Sequence, residues 1–367
     1  MSVNLATKYS GIVDEKIRNG VLSTPGVNND YDFIGARSVK VYTFSPVAMN
    51  DYSTSGTSRY GSPSELEDTL QEMTLSQAKS FTFTIDKINA VDSPEGARDA
   101  GKALARQISQ AVIPMLDTYR FGKIVAGAGS TAYTAVTKSN AYEKFIDANN
   151  AISNKDVPIG GRVAFCSPSF LGLLKQDSSF VKGSDLGQKA LFNGQVGEVD
   201  GVAIIQVPET RLPVGLAFVI TNPSACCAPV KLEDYKLHED APGIAGTLVE
   251  GLIYHDAFVL NGQKDGIAAH YGTLGALTFA GTASTTSGKT DITVTGKNGI
   301  VDYYYKVGSS AVTPPALGAG TSGYTKLAGL TDTITPGSGN THCVVCGVDG
   351  NGKVIAASGD TTIAIGA

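Results

Sequence analysis

The chain has 367 residues, of which 42% are hydrophobic and 17% charged, with a formal net charge of −5. That length exceeds one ordinary core, so two domains or one elaborated domain are expected, and the composition is that of a globular chain. So few charges with an acidic balance argue against a nucleic-acid grip, which would need a basic stripe.

The opening MSVNLATKYSGIVDEK has no basic start followed by an apolar run, so no secretory signal is read there. No stretch reaches the roughly 18 apolar residues of a membrane helix. Cys166, Cys226, Cys227, Cys343 and Cys346 are odd in number on a chain without an export signal, which points to reduced thiols made in a cytoplasm. Tryptophan is absent and glycine reaches 43 residues, which favours strands and turns over a helical bundle.

The first predicted elements are strands at Arg37–Phe44 and Ser80–Lys87, where Phe81, Phe83 and Ile85 alternate with Thr82, Thr84 and Asp86. The 35 residues between them, Ser45–Lys79, show little apolar periodicity. So long an excursion from a compact domain is functional or disordered. Its tyrosines, Met49, Met73 and Leu75 exceed what a disordered linker needs, so a long projecting loop packed on something else is expected.

A long amphipathic helix follows. Asp92 and Glu95 form a capping box with Pro94 in the first turn. Ala97, Ala100, Leu104, Ile108, Ala111, Met115 and Tyr119 then recur every three or four residues. Pro114 should kink the helix, and the AGAGS run at 126–130 should end it. About 30 helical residues would span roughly 45 Å, longer than a small domain needs.

Beyond it the spacing predicts a helix over Asn140–Asn154 and a buried strand at Arg162–Cys166. A helix over Ser169–Gln176 should be capped by Ser167-Pro168, and Gly197–Pro208 should form a hairpin turning at Asp200-Gly201. Further strands are expected at Ala217–Thr221, Val230–Tyr235 and Gly246–Leu260. This is α+β without regular β-α alternation.

Near residues 272–276 the chain changes character. From Leu274 to Ala367 it is dominated by Thr, Gly, Ala, Val and Ser, and its five lysines balance its five aspartates. About seven short alternating runs separated by turn signals resemble an immunoglobulin-like sandwich.

The candidate chemistry is thin. Cys343 and Cys346, beside His342, have the spacing of half a zinc site, but no second ligand pair is near. On a strand, positions three apart face opposite sides, so they are expected to be small strand residues. The same geometry parts Cys226 from Cys227. His238, His255, His270 and His342 stand apart from any triad arrangement. The glycine runs match neither a phosphate loop nor a dinucleotide fingerprint. No catalytic, cofactor-binding or metal residue is assigned, and no cofactor is expected.

The order of polar arm, strand, projecting loop, strand, long helix, α+β core and return strands resembles the HK97-like major capsid proteins of tailed phages. The segments LATKYSGIVDEK, YDFIGARSVKVYTF, MNDYSTSGTSRYGSPSEL, QEMTLSQAKSFTFTIDK and AGKALARQISQAVIPMLDTYR resemble capsid subunits of prophages in Gram-positive bacteria. The resemblance covers about residues 1–272. It implies an N-arm at 1–36 and an E-loop at 37–90. It implies a peripheral domain at 91–128 with 225–272 and an axial domain at 129–224, followed by an outward-facing immunoglobulin-like domain at 274–367. Met49, Tyr52, Arg59, Tyr60, Leu66 and Met73 become the candidate contacts with neighbouring subunits.

The same resemblance implies a non-enzymatic shell subunit, forming hexamers and pentamers around double-stranded DNA that it touches only weakly and non-specifically. It would be assembled in the host cytoplasm with a separate scaffolding protein and a portal, without a membrane, and located in the virion. The Lys and Asn of a covalent cross-link are not identified, so non-covalent assembly is expected. Deleting about residues 48–76 should leave a foldable but assembly-defective chain. An encapsulin-type compartment, or a surface adhesin suggested by the sandwich alone, are the alternatives.

Overall fold

The computed structural model describes residues 20–28, 30, 31, 33, 36–91, 100–183, 197–239 and 241–366. Most of the expected N-arm and the capping box at Asp92, Pro94 and Glu95 lie outside the described residues. The architecture is α+β, as the sequence predicts.

Strand β1 (Ser38–Phe44) alternates between half-buried and exposed positions and pairs antiparallel along its whole length with β2 (Asp68–Thr74), Ser38 opposite Thr74 and Phe44 opposite Asp68. The stretch Ser45–Lys79 is therefore not one irregular loop but the apex and second strand of a hairpin. The sequence hides β2 because its large apolar residues, Leu70 and Met73, are three apart and break the two-residue period. Residues 45–67 form the apex, and β3 (Gln77–Asp86) returns the chain to the body.

Helix α1 (Lys87–Val91) leads toward the long helical path, described from α2 (Ala100–Gln107) through a π-type turn at Ile108–Val112 into α3 (Ile113–Ala126). The expected kink at Pro114 takes this form. Proline has no N–H and its ring collides with the carbonyl of the preceding turn. One widened turn, in which the Ile113 N–H reaches back to the Ile108 carbonyl, carries the helix past it. Gly127 ends α3, its N–H bonding the Lys123 carbonyl at 3.0 Å. From Ala100 to Ala126 the path is roughly 40 Å long.

The body follows in order: β4 (Ser130–Tyr133), α4 (Ala141–Ser153), β5 (Val163–Cys166), α5 (Pro168–Gln176), α6 (Ser178–Gly183), β6 (Glu198–Val199), β7 (Val202–Gln206), β8 (Leu216–Thr221), β9 (Cys226–Cys227), β10 (Val230–His238), β11 (Gly246–His255), β12 (Phe258–Val259) and β13 (Ile267–Tyr271). Ser167 caps α5 by accepting the Phe170 N–H at 3.2 Å. The hairpin of β6 and β7 turns at Asp200 (φ 51°) and Gly201 (φ 72°), the two left-handed positions its type I′ geometry requires.

Six strands form a mixed sheet in the order β4-β13-β8-β5-β7-β6. Strands β5, β8 and β13 are buried at every residue, as strands covered on both faces must be. One face packs Phe218 and Ile220 against Phe145 of α4 and Phe170 of α5; the other packs Phe165 and Val219 against Phe121 of α3. Residues 225–272 divide between sheets, because β13 belongs to this one, between β4 and β8. Its Ala268 and Ala269 let both neighbours and both layers close on it. The other returns, β10 and β11, form a three-stranded sheet with β3, Gln77 opposite His255 and Asp86 opposite Gly246.

The C-terminal region holds β14 (Gly275–Ala276), β15 (Phe279–Ala283), β16 (Thr290–Val294), β17 (Asp302–Gly308), β18 (Thr325–Lys326), β19 (Thr331–Ile334), β20 (His342–Val348), β21 (Val354–Ala357) and β22 (Thr361–Thr362). They make two sheets, one of β15, β16 and β19 and one built around β20. Ile292, Val294 and Ile334 of the first share a core with Tyr303, Cys343, Val345 and Ala356 of the second. Cys343 lies in that core while Cys346 packs on the opposite face with Val348 and Val354, as their spacing predicts.

Candidate inter-subunit surfaces

The hairpin has a fixed root and an exposed end. At the root, Met73 and Leu75 pack with Phe33 and Leu260, and Phe33 stacks on Phe258 at 6.1 Å between ring centroids. The Gln71 amide spans β12 and its exit, donating to the Val259 carbonyl at 2.9 Å and accepting the Asn261 N–H at 2.8 Å. Asp256 joins the root to the long helix. One of its carboxylate oxygens accepts both the N–H and the hydroxyl of Ser76 at 2.8 Å, and the other accepts the Tyr119 hydroxyl at 2.6 Å. Burial, together with that carboxylate, raises the Tyr119 hydroxyl above the usual tyrosine range.

The apex is held mostly by its own turn. The Ser53 N–H meets the Arg59 carbonyl at 3.0 Å, Arg59 Nε donates to the Gly56 carbonyl at 3.2 Å, and Tyr52 meets Tyr60 edge-on at 5.2 Å. Large apolar side chains remain in water. Met49 is 96% and Tyr60 84% exposed, and Phe44, Val47, Tyr52 and Leu66 are each more than half exposed. So many exposed large apolar side chains on one segment exceed the scattered single ones of an ordinary surface.

Five of the six candidate contact residues, Met49, Tyr52, Arg59, Tyr60 and Leu66, lie on this exposed apex. Met73 does not. It is 0% exposed and forms part of the root, so it is not free to touch a neighbour. For the same reason a deletion of 48–76 would remove Met73, Leu75 and Ser76 and damage the fold as well as the apex.

A second cluster, which the sequence did not point to, pins the chain before β1. Asp117 of α3, fully buried, accepts the N–H groups of Leu22 (3.0 Å) and Ser23 (3.1 Å) and pairs with Arg211 at 2.8 Å. The same Arg211 nitrogen donates to the Gly20 carbonyl at 2.8 Å. Arg120, one turn along, donates to Ser23 Oγ (3.3 Å) and the Ala228 carbonyl (3.2 Å). Its desolvation lowers the guanidinium below its ordinary range. Gly26 lies against the Phe165 ring, where a Cβ would sit 2.4 Å from the nearest ring carbon.

The histidines stay apart. His238 lies 3.4 Å from Glu250, His342 2.6 Å from Asp360, and His270 meets the Thr134 carbonyl at 2.9 Å while stacking on Phe218. His255 is buried against the edge of Tyr119 with neither ring nitrogen hydrogen-bonded. Among the described residues no three His, Cys, Asp or Glu side chains gather as metal ligands, and no helix is long and apolar enough to cross a membrane.

Comparison with solved structures gives this arrangement its context. A chain from Mycobacterium phage Che8 matches at a TM-score of 0.61 with 19% identity, over 72% of this chain and 96% of that one. A chain from the capsid of cyanophage P-SCSP1u matches at 0.60 with 14% identity, over 73% and 92%. One from the mature capsid of bacteriophage PhiM1 matches at 0.58 with 12% identity, over 73% and 91%. The fold is HK97-like, that of phage capsid chains. At these identities the likeness is one of fold, and no family model and no curated protein matches the chain. The HK97-like part accounts for nearly all of each matched chain and leaves about a quarter of this one over.

Proposed function

We propose that this chain is a major capsid subunit of a tailed phage or prophage, assembling into hexamers and pentamers of an icosahedral shell around double-stranded DNA. The carrying observation is the hairpin: its root is locked into the body while its apex holds Met49, Tyr52, Tyr60 and Leu66 in solvent. A side chain such as Met49, nearly fully exposed, gains only when another surface covers it. Many such modest contacts, repeated by closed symmetry, add up to a shell.

On this reading the hairpin and β3 are the E-loop, and the pinned segment at 20–28 is the end of the N-arm. The six-stranded sheet is the axial domain, and the long helix with β10 and β11 is the peripheral domain. The role is structural and not catalytic. Contacts to DNA are weak and non-specific, a scaffolding protein and portal are the partners in assembly, and the product is the virion. The C-terminal sandwich is an immunoglobulin-like decoration on the shell exterior, the size of the part that the capsid chains do not match.

Negative-stain microscopy of the purified protein tests the class. Icosahedral or tubular particles are expected, and a protein that stays monomeric at all concentrations and salt conditions overturns the reading. Particles from the native source should hold nuclease-protected DNA; an enzyme cargo in its place would identify an encapsulin-type compartment. Replacing residues 46–66 by a short Gly-Ser linker, which spares Met73 and Ser76, should leave a folded subunit that does not form shells.

A further inference from the structure

The chain passes from the six-stranded sheet to the sandwich through residues 272–274, but that link is the least of what joins them. Tyr133, on edge strand β4, donates its hydroxyl to the Asp349 carboxylate in the turn between β20 and β21, and Asn351 Nδ2 donates to the same hydroxyl at 3.1 Å. Asp349 also shapes its own turn by accepting the N–H groups of Asn351 (2.9 Å) and Lys353 (3.0 Å). Behind Tyr133, the Tyr271 ring lies parallel at 5.5 Å between centroids.

The apolar cores also cross the boundary. Ile355 of β21 is fully buried and packs with Leu212, Leu216 and Tyr271 of the body, while Val214 and Ile300 pack in both cores. The Val214 N–H bonds the Asn298 carbonyl at 3.0 Å. Glycines from three separate segments permit this approach. A Cβ on Gly275 would lie 2.3 Å from Val214, on Gly299 2.5 Å from Pro213, and on Gly318 2.5 Å from Tyr133.

Domains in one chain move relative to one another unless their interface is large and apolar, and tethered accessories hang on Gly/Ser/Pro-rich linkers with few contacts across them. Here two shared cores and a stacked tyrosine pair replace the tether. We infer that the C-terminal sandwich is not a freely hinged knob but a fixed brace on the end of the six-stranded sheet, held at Tyr133–Asp349 and Val214–Gly275, and that the two units unfold as one. This inference stands independently of the capsid reading.

Scanning calorimetry of the full chain and two variants tests it. The wild-type chain should melt in a single transition. Tyr133→Phe, which removes only the hydroxyl, should lower that transition by several degrees. Gly275→Val, a wedge against Val214 at a position free of left-handed backbone, should split it in two. Two well-separated transitions in the wild-type chain, or a single unshifted transition in Gly275→Val, would overturn the inference. Should Gly275→Val fail to fold, Tyr133→Phe decides alone, and an unchanged melting temperature counts against the brace.

Discussion

The Tyr119 hydroxyl and the Asp256 carboxylate, 2.6 Å apart and 137 positions apart in the chain, tie the long helix to the root of the hairpin. Asp256 holds Ser76 by two further bonds, so its loss strands more partners than the loss of the phenol does. Asp256→Ala should cost about 2–4 kcal/mol and Tyr119→Phe about 1 kcal/mol, the difference being the amide and hydroxyl left unpaired. Urea unfolding of both variants checks the ranking.

His255 makes the fold acid-sensitive. Burial, and then the neighbouring Arg120, holds its imidazole below the ordinary histidine range, against a smaller upward pull from Asp256; among the described residues Tyr119 and Lys79 also face it. The unfolded chain therefore takes up this proton first as pH falls through about 6.5, and stability drops until the folded state binds it too. The slope from this one group is up to about 1.4 kcal/mol per pH unit. Melting curves between pH 7.5 and 4.5 should show less loss in His255→Leu than in the wild-type chain.

The buried pair of Asp117 and Arg211 should behave asymmetrically. Asp117→Ala removes a buried carboxylate that pairs with Arg211 and holds two backbone amides, and should cost about 3–5 kcal/mol. Replacing both residues by apolar ones of similar size should cost less than the two single changes together, apart from the Leu22 and Ser23 amides that Asp117 also satisfies. A double-mutant cycle by denaturant titration measures this.

Two methionines on one hairpin should separate folding from assembly. Met73→Ala should cost about 2–5 kcal/mol, as for other buried large-to-small changes. Met49→Ala should stay within about 0.5 kcal/mol of the wild-type chain, yet weaken particle formation. Thermal melts read the first effect and sedimentation the second.

Every cysteine should be silent in the native state. All five are buried, and burial pushes the thiols of Cys226, Cys343 and Cys346 up to about 12. A thiol reagent at pH 8 should label none of them until denaturant unfolds the chain.

What the sequence disclosed was local in origin. The alternation of Phe81, Phe83 and Ile85, the Ser167-Pro168 cap and the Asp200-Gly201 turn each concern residues a few positions apart, and each is found where expected. Strand β2 escaped because its register comes from a partner across the whole apex and not from its own pattern. Strand β13 was not among the strands expected from the sequence, and which sheet it joins depends on β4 and β8, far off in sequence. Met49 and Met73 are the same residue type with opposite fates, decided by whether Phe33 and Leu260 stand nearby. The pairs Tyr119–Asp256 and Asp117–Arg211 join distant polar residues whose neighbours in the chain give no sign of it.

A hairpin gripped at one end behaves as a lever. The paired strands from Ser38 to Phe44 are about 23 Å long at the usual rise per residue, so a rotation of about 5° at their base swings the far end by roughly 2 Å. Small adjustments among Ser76, Asp256 and Tyr119 are thus magnified at the exposed Met49 and Tyr60. In the proposed shell, the angle between adjoining copies, and with it the curvature of what they build, would be tuned from inside each molecule.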